Sequence, residues 1–385
     1  MSGPSRRQFL EMSGAATLGL PFVGSAQAAA QAASTTVFMD QDGLGLTASE
    51  TSTELARLCA LREPKMDIYG LGGIVEEAEQ YFARVLGKER ALFMPTGTLA
   101  NQLALRALAG EKRRVIVQDV SHVYNDTGDA CQILSGQTLL PLAPERATFT
   151  WEEAERALNR TASGRVLASV GALSIESPVR RRSGELFDHG EMTRICAQAK
   201  QRGIGLHLDG ARLFIASAYT GISPAAYAAP FDTVYVSLWK YFNSLNGAIL
   251  AGPASLLDGM FHTRRMFGGA LFSAWPFALL AQHYAGGFIE RLSSAIAVSN
   301  EFMAAIKGKS ARIERVANGT NIFKLIVAES KAEALMERLR PQQMVLAKPT
   351  RTAEGAVFNI YVNETWNRTT GARLAEQFKR ALIPS

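Results

Sequence analysis

One lysine in this 385-residue chain stands where covalent chemistry is to be expected. The run Asp232-Thr-Val-Tyr-Val-Ser-Leu-Trp-Lys240 is rich in β-branched and aromatic residues, and it delivers a single amine at its end. Ser237 lies three residues earlier, and the small-residue segment Gly247-Ala-Ile-Leu-Ala-Gly252 follows. An amine must shed its proton before it attacks an aldehyde, and a rigid, partly desolvated strand end makes that loss easier. Schiff-base chemistry on Lys240 is therefore the first expectation.

Its partners stand upstream. Pro95-Thr96-Gly97-Thr98 falls between a short strand and a helix expected over residues 99–108, so backbone N–H groups and two hydroxyls meet at a helix N-terminus. Unpaired donors and the helix dipole bind phosphate at such a place, and Gly97 lets an anion come close. Thr98 as a plain helix cap explains the same pattern equally well. Asp209, in Leu206-His-Leu-Asp-Gly-Ala-Arg212, ends a strand, where open α/β sheets keep their ligands. A carboxylate there can hold a pyridine nitrogen protonated and make the ring an electron sink, although capping the next helix is its ordinary role. His122, in the loop after the strand expected at 115–117, could lie flat on that ring. Glu176 is another strand-end residue, suited to the ring's hydroxyl, and Arg212 is placed for an anionic substrate group. His207 alternates with these positions and fits a packed core histidine as well as a site residue. Phosphate cradle, imidazole, acid and lysine, in this chain order, are the parts of a pyridoxal 5′-phosphate site.

These parts need a sheet to hold them. Helix and strand patterns alternate from about Val75 to Gly252, which favours a mostly parallel sheet covered on both faces. Strands are expected at 91–94, 115–117, 166–170, 204–208 and 234–237, with a helix over 76–86. After Phe261 the pattern changes to one long helical region at 281–307, strands at 322–327, 344–347 and 357–362, a helix at 331–339 and a closing helix from Thr370. The domains expected are thus 43–280, large, and 281–385, small and α+β, after a flexible lead-in over 29–42.

Residues 1–28 read as an address. Arg6-Arg7-Gln-Phe-Leu10, the weakly apolar Met12 to Val23 and Ala26-Gln-Ala28 form a charged region, an apolar region and a small-residue cleavage site, and the twin arginine points to the Tat translocase and a periplasmic or secreted protein. The whole chain is 47% hydrophobic and 20% charged at net charge +6, the composition of a globular enzyme. Basic residues are scattered rather than gathered on one stripe, which argues against nucleic acid. Cys59, Cys131 and Cys196 form no CxxC pair, and His189, His262 and His283 have no neighbours at metal spacing.

Asp67-Ile-Tyr-Gly70, Leu86 to Gln102, His207 to Leu213 and the strand to Lys240 together resemble the threonine aldolase and aromatic amino acid β-eliminating lyase family of fold type I pyridoxal phosphate enzymes. The resemblance implies a mostly parallel seven-stranded type of sheet with a small C-terminal α+β domain. It implies a Schiff base on Lys240, the pyridine nitrogen on Asp209, His122 over the ring, and phosphate at Thr96, Gly97 and Thr98 with help from Ser237. Arg212 would lie beside the substrate carboxylate, and the enzyme would be a homodimer or homotetramer. Four departures stand out: Trp239 and Tyr241 replace small residues around the lysine, Gly268-Gly-Ala-Leu-Phe272 lacks an arginine, and Asn359 stands where a second carboxylate-binding arginine is expected. Arg180-Arg-Arg182 could supply a replacement cation. Retro-aldol cleavage of a β-hydroxy-α-amino acid is the reaction expected first. A β-eliminating lyase, an aminotransferase and a non-catalytic periplasmic binding protein are the alternatives.

Overall fold

Seven strands build the sheet on which the expected site depends. They are β2 (Arg90–Met94), β3 (Arg114–Gln118), β4 (Thr138–Leu142), β5 (Val170–Glu176), β6 (Gly205–Asp209), β7 (Thr233–Ser237) and β8 (Ala248–Gly252), in the spatial order β2-β8-β7-β6-β5-β3-β4. Only β8 runs against the rest. Every residue of β5, β7 and β8 is buried, as expected for strands covered on both faces, and this is why they read as continuous apolar runs. The computed structural model describes residues 35–306 and 311–382. The expected signal segment and residues 29–34 lie outside them.

A second, antiparallel sheet follows in the chain, ordered β12 (Thr350–Thr352), β13 (Gly355–Tyr361), β10 (Ile322–Val327) and β9 (Ala311–Arg315). On β13, Ala356, Phe358 and Ile360 are buried while Val357, Asn359 and Tyr361 face the other way. Behind it Phe302 meets Trp366 and Phe378 edge to face, as Trp366 meets Phe323 of β10. The end of the lead-in is built into this part. β1 (Val37–Phe38) pairs in parallel with β11 (Met344–Val345), and Asn363 Nδ2 donates to the carbonyls of Phe38 and Gln41. Residues 37–42 are thus structural, not a flexible connector.

Three further expectations shift. The strand expected at 166–170 lies instead at β5, and Val166 and Leu167 are 81% and 76% exposed. The helical region expected at 281–307 is two helices, Trp275–Ala285 and Phe288–Ala305, parted by Gly286 and by Gly287 at φ +66°. The first of these runs across the expected boundary between 280 and 281. Among the described residues no helix is long and apolar enough to cross a membrane.

Candidate active site

The carboxyl ends of three neighbouring strands bring the site together. Glu176, Asp209 and Tyr235 are direct register partners across β5, β6 and β7, and Lys240 follows β7 by three residues. Lys240 Nζ lies 6.0 Å from the centre of the Tyr235 ring and 5.4 Å from that of Trp239. Burial pushes its ammonium down to about 8 from 10.5; Arg212 adds repulsion, and Asp209, Asp42 and Glu176 offset part of the shift. An amine so placed is far readier to act as a nucleophile than a surface lysine.

Asp209 is 3% exposed, and each of its oxygens accepts one hydrogen bond. Its Oδ1 accepts from Ala211 N at 3.1 Å and its Oδ2 from Asn101 Nδ2 at 2.6 Å. The capping role open in the sequence is thus limited to a short turn, and the carboxylate sits beside His122 and Lys240, both of which feel its charge. His207 is wholly buried, bonded to Asn101 and Thr233.

His122 opens a short helical turn, His122–Asn125, after β3. Its Nδ1 is buried without a hydrogen-bond partner, and burial lowers the imidazole's proton affinity, which favours the uncharged ring. Glu176 does the positioning. Its Oε2 accepts from His122 N at 2.6 Å and its Oε1 from Arg180 N at 2.8 Å, while Gln118 binds both the N–H and the carbonyl of Glu176. Burial and the nearby Asp209 charge push the Glu176 carboxyl up to about 7. With both oxygens on backbone amides, Glu176 ties β5 to the His122 turn.

The helix Gly97–Ala109 begins beneath Tyr235. A Cβ on Gly97 would lie 2.0 Å from Tyr235 Oη, so no larger residue fits. Thr96, not Thr98, caps this helix, its Oγ1 accepting from Leu99 N at 3.1 Å. Among the described residues this leaves the Gly97 and Thr98 N–H groups and the Thr98 hydroxyl without partners. Ser237 Oγ is buried and unpartnered as well; the Tyr235 hydroxyl is its electrostatic neighbour without meeting hydrogen-bond geometry.

Beside Lys240 opens a cavity of about 430 Å³, walled by Asp42, Arg212, Trp239, Asn243, Leu245 and Tyr361 among others. Arg212 does not reach into it unattended. Its Nε donates to Asp42 Oδ2 at 2.9 Å, its Nη2 lies 2.8 Å from the same oxygen as an ion pair, and Asn321 Nδ2 donates to Asp42 Oδ1 at 3.0 Å. Asn359 is exposed on β13, opposite Lys324 and outside the cavity wall; Tyr361, two residues on, takes that place. Arg180 and Arg181 are both paired with Asp126, whose carboxyl they hold down to about 2, and Arg182 pairs with Glu185. The arginine run therefore offers no uncommitted head. Asp42, Asn101, Tyr235 and Asn321 are given no role by the sequence, although Asn101 lies within a motif block one helical turn after Gly97, and Tyr235 within the run that ends at Lys240.

The sequence profile of the beta-eliminating lyases matches residues 62–355. The chain belongs to the beta-eliminating lyase family. Two solved structures share most of its fold: a candidate L-allo-threonine aldolase of Listeria monocytogenes, at 27% identity and TM-score 0.75 over 90% of this chain and 96% of that one, and a candidate aromatic amino acid beta-eliminating lyase/threonine aldolase of Exiguobacterium, at 26% identity and TM-score 0.76 over 91% and 97%. A low-specificity L-threonine aldolase of Saccharomyces cerevisiae is 29% identical over 216 residues, 56% of this chain and 55% of the relative. The chain spans about half the length of the curated relatives it matches.

Membership in this fold type I family implies pyridoxal phosphate, and the unsatisfied groups fit it. An anion is called for by two free N–H groups at a helix N-terminus and an orphaned buried serine hydroxyl. A cationic ring nitrogen suits the buried Asp209 carboxylate, and an aldehyde suits the deprotonable Lys240. Of the departures from the family pattern, Tyr241 goes into the core, its ring 4.4 Å from Phe242 and 4.9 Å from Phe288, while Trp239 stands half exposed in the cavity wall. Phe272 is 65% exposed, its ring against Tyr69. Among the described residues no cluster of His, Cys, Asp and Glu could hold a metal ion.

Proposed function

We propose that this chain is a pyridoxal-phosphate-dependent carbon–carbon lyase that splits β-hydroxy-α-amino acids by retro-aldol cleavage. The observation that carries it is the meeting, at adjacent strand ends, of an amine pushed down to about 8 with a buried carboxylate it can sense. Lys240 and Asp209 would hold the two reactive ends of the cofactor, with Gly97, Thr98 and Ser237 on its phosphate. When bound, the cofactor supplies an aldehyde for the substrate's amine and a ring that withdraws electrons from its α-carbon. The free Lys240 amine, pushed down to about 8, would serve as a base close to neutral pH. His122, with Nδ1 buried and unpartnered beside Asp209, would pack against the cofactor and serve as a proton acceptor. Arg212, oriented by Asp42, keeps Nη1 for the substrate carboxylate.

The names of the similar proteins support the retro-aldol reading over β-elimination. To test it, the purified chain is loaded with pyridoxal phosphate and given L-threonine, L-allo-threonine and phenylserine. Equal yields of glycine and aldehyde are expected. A keto acid and ammonia would instead assign β-elimination, conversion of the cofactor to its amine form would assign transamination, and protein that stays colourless with the cofactor would leave only a binding role.

Two further inferences concern context. The exposed Met66, Ile68, Leu71 and Phe272, joined through the Ile68–Leu71 bridge and the Tyr69–Phe272 contact, support burial against a second copy of the chain. Light scattering on the purified protein tests that. The twin arginine Arg6-Arg7 supports Tat export to the periplasm, tested by fractionating cells that carry the wild type and an Arg6→Lys, Arg7→Lys variant.

A further inference from the structure

Four wholly buried polar side chains run in single file through the base of the site. Thr233 Oγ1 lies 2.8 Å from His207 Nδ1, His207 Nε2 lies 2.9 Å from Asn101 Oδ1, and Asn101 Nδ2 lies 2.6 Å from Asp209 Oδ2. None of the four is more than 3% exposed. Packing alone would favour apolar residues here, because a buried polar group that loses its hydrogen bond is penalised by its whole desolvation.

The direction of the file follows from its end. An ionised carboxylate accepts only, so Asn101 must turn its amide nitrogen toward Asp209. That leaves the Asn101 oxygen facing His207, whose Nε2 must then carry the proton. Nδ1 is left bare and takes the Thr233 hydroxyl proton. Each of the three contacts then joins a donor to an acceptor, and reversing Asn101 would set its oxygen against the carboxylate. Burial pushes His207 down to about 4, which keeps the imidazole at the single proton the file requires.

We propose that Thr233, His207 and Asn101 are positioning residues that aim and hold the Asp209 carboxylate for a protonated ring nitrogen. The proposal rests on the cofactor assignment above. Hydrogen bonds in line polarise one another, so each member strengthens the last bond, the one onto Asp209. The arrangement also joins the two ends of the cofactor site. Asn101 sits four residues after Gly97 on the helix whose first N–H groups are free, so one rigid element presents the phosphate donors and the amide that clamps Asp209. His207 and Thr233 are register partners on β6 and β7, which fixes the other half of the file by backbone pairing.

The experiment uses the full chain with and without pyridoxal phosphate, and the variants Asn101→Ala, His207→Phe and Thr233→Val. In cofactor-free protein labelled with [15N]histidine, the signals lost in His207→Phe identify His207. They should report a neutral ring protonated at Nε2, unchanged from about pH 5 to 9. Affinity for the cofactor, read by absorbance titration, should fall on the order of tenfold or more in Asn101→Ala, the loss of one charge-assisted bond, and by less in His207→Phe and Thr233→Val as the change moves away from Asp209. With 15N-labelled cofactor, the ring nitrogen should lose its proton at lower pH in the same order. A purely structural role would lower the melting temperature and leave affinity and ring protonation unmoved. That result, or a His207 protonated at Nδ1 or on both nitrogens, overturns the proposal. Thr233→Val, which keeps the shape of the site, decides the matter if the larger variants do not fold. Wild-type protein that binds no cofactor would sink the cofactor assignment, and the histidine tautomer would still decide whether the file exists.

Discussion

Replacing Lys240 by methionine should make the cofactor-free protein more stable near neutral pH. Burial holds the folded ammonium at about 8 while the unfolded chain keeps 10.5. Below about pH 8 the lysine is charged in both states, and the folded state carries the full penalty. Between about 8 and 10.5 the folded chain sheds its proton first and the penalty fades. At about 1.4 kcal/mol per pH unit the penalty amounts to about 3 kcal/mol at pH 7 and falls below about 1 kcal/mol by pH 10. Lys240→Met escapes it at every pH, so its advantage over the wild type should shrink across that window. Urea unfolding at several pH values reads the difference directly. A gain that is absent at pH 7, or that stays flat from pH 7 to 10, refutes the reasoning. The same shift leaves about a tenth of Lys240 neutral at pH 7, against a few parts in ten thousand for an ordinary lysine, so an amine reagent should label it about 300-fold faster than its exposure alone would allow.

Ser237→Ala should weaken pyridoxal phosphate binding by about five- to tenfold, the worth of one hydrogen bond, without lowering the cofactor-free melting temperature, because Ser237 Oγ has no partner in the chain; a drop in melting temperature at unchanged affinity would contradict this. Asp42→Ala strands the buried Arg212 and should cost about 3–5 kcal/mol of stability, most of it recovered when Arg212→Met is added; urea unfolding of the single and double variants checks it, and a single-variant loss under about 1 kcal/mol would count against a buried pair. Glu79, which accepts from Phe93 N at 2.7 Å, is pushed by burial to about 7 from 4.5. Its charge penalises folding in full above about pH 7 and not at all below 4.5, so Glu79→Gln should gain up to about 3 kcal/mol at pH 8 and little at pH 4.5, and an equal effect at both pH values would remove the basis for that shift.

Strands β2, β6, β7 and β10 were legible because each is an apolar run bounded by turns or helices. β5 was displaced because Val166-Leu-Ala-Ser-Val170 has the better strand composition. What selects the true strand is contact: a Cβ on Gly171 would lie 2.4 Å from the Ala109 carbonyl, an approach that no local pattern records. β4 was missed for a different reason. It contains Pro141, which argues against a strand, yet it lies at the edge of the sheet where a missing N–H is tolerated. β9, Ala-Arg-Ile-Glu-Arg, is likewise an edge strand, its charges turned to solvent.

The site divides along a similar line. Lys240, Asp209, Glu176 and Ser237 could be found because each sits at a strand end, a position that sequence marks. Their partners could not, because partnership is set by folding: Asp42 reaches Arg212 across 170 positions from a segment that reads as a linker. Position beside a catalytic residue is no guide to role either. Trp239 and Tyr241 flank Lys240 and depart equally from the family pattern, yet only Trp239 borders the cavity, while Tyr241 fills a cluster of phenylalanines. A change of chemistry in this chain is therefore to be sought at Trp239, at Tyr361 and along the Asp42–Arg212 pair, where side chains meet the substrate space. Tyr241 instead bears on how firmly the segment after β7 is anchored, and through that on where the Lys240 amine points.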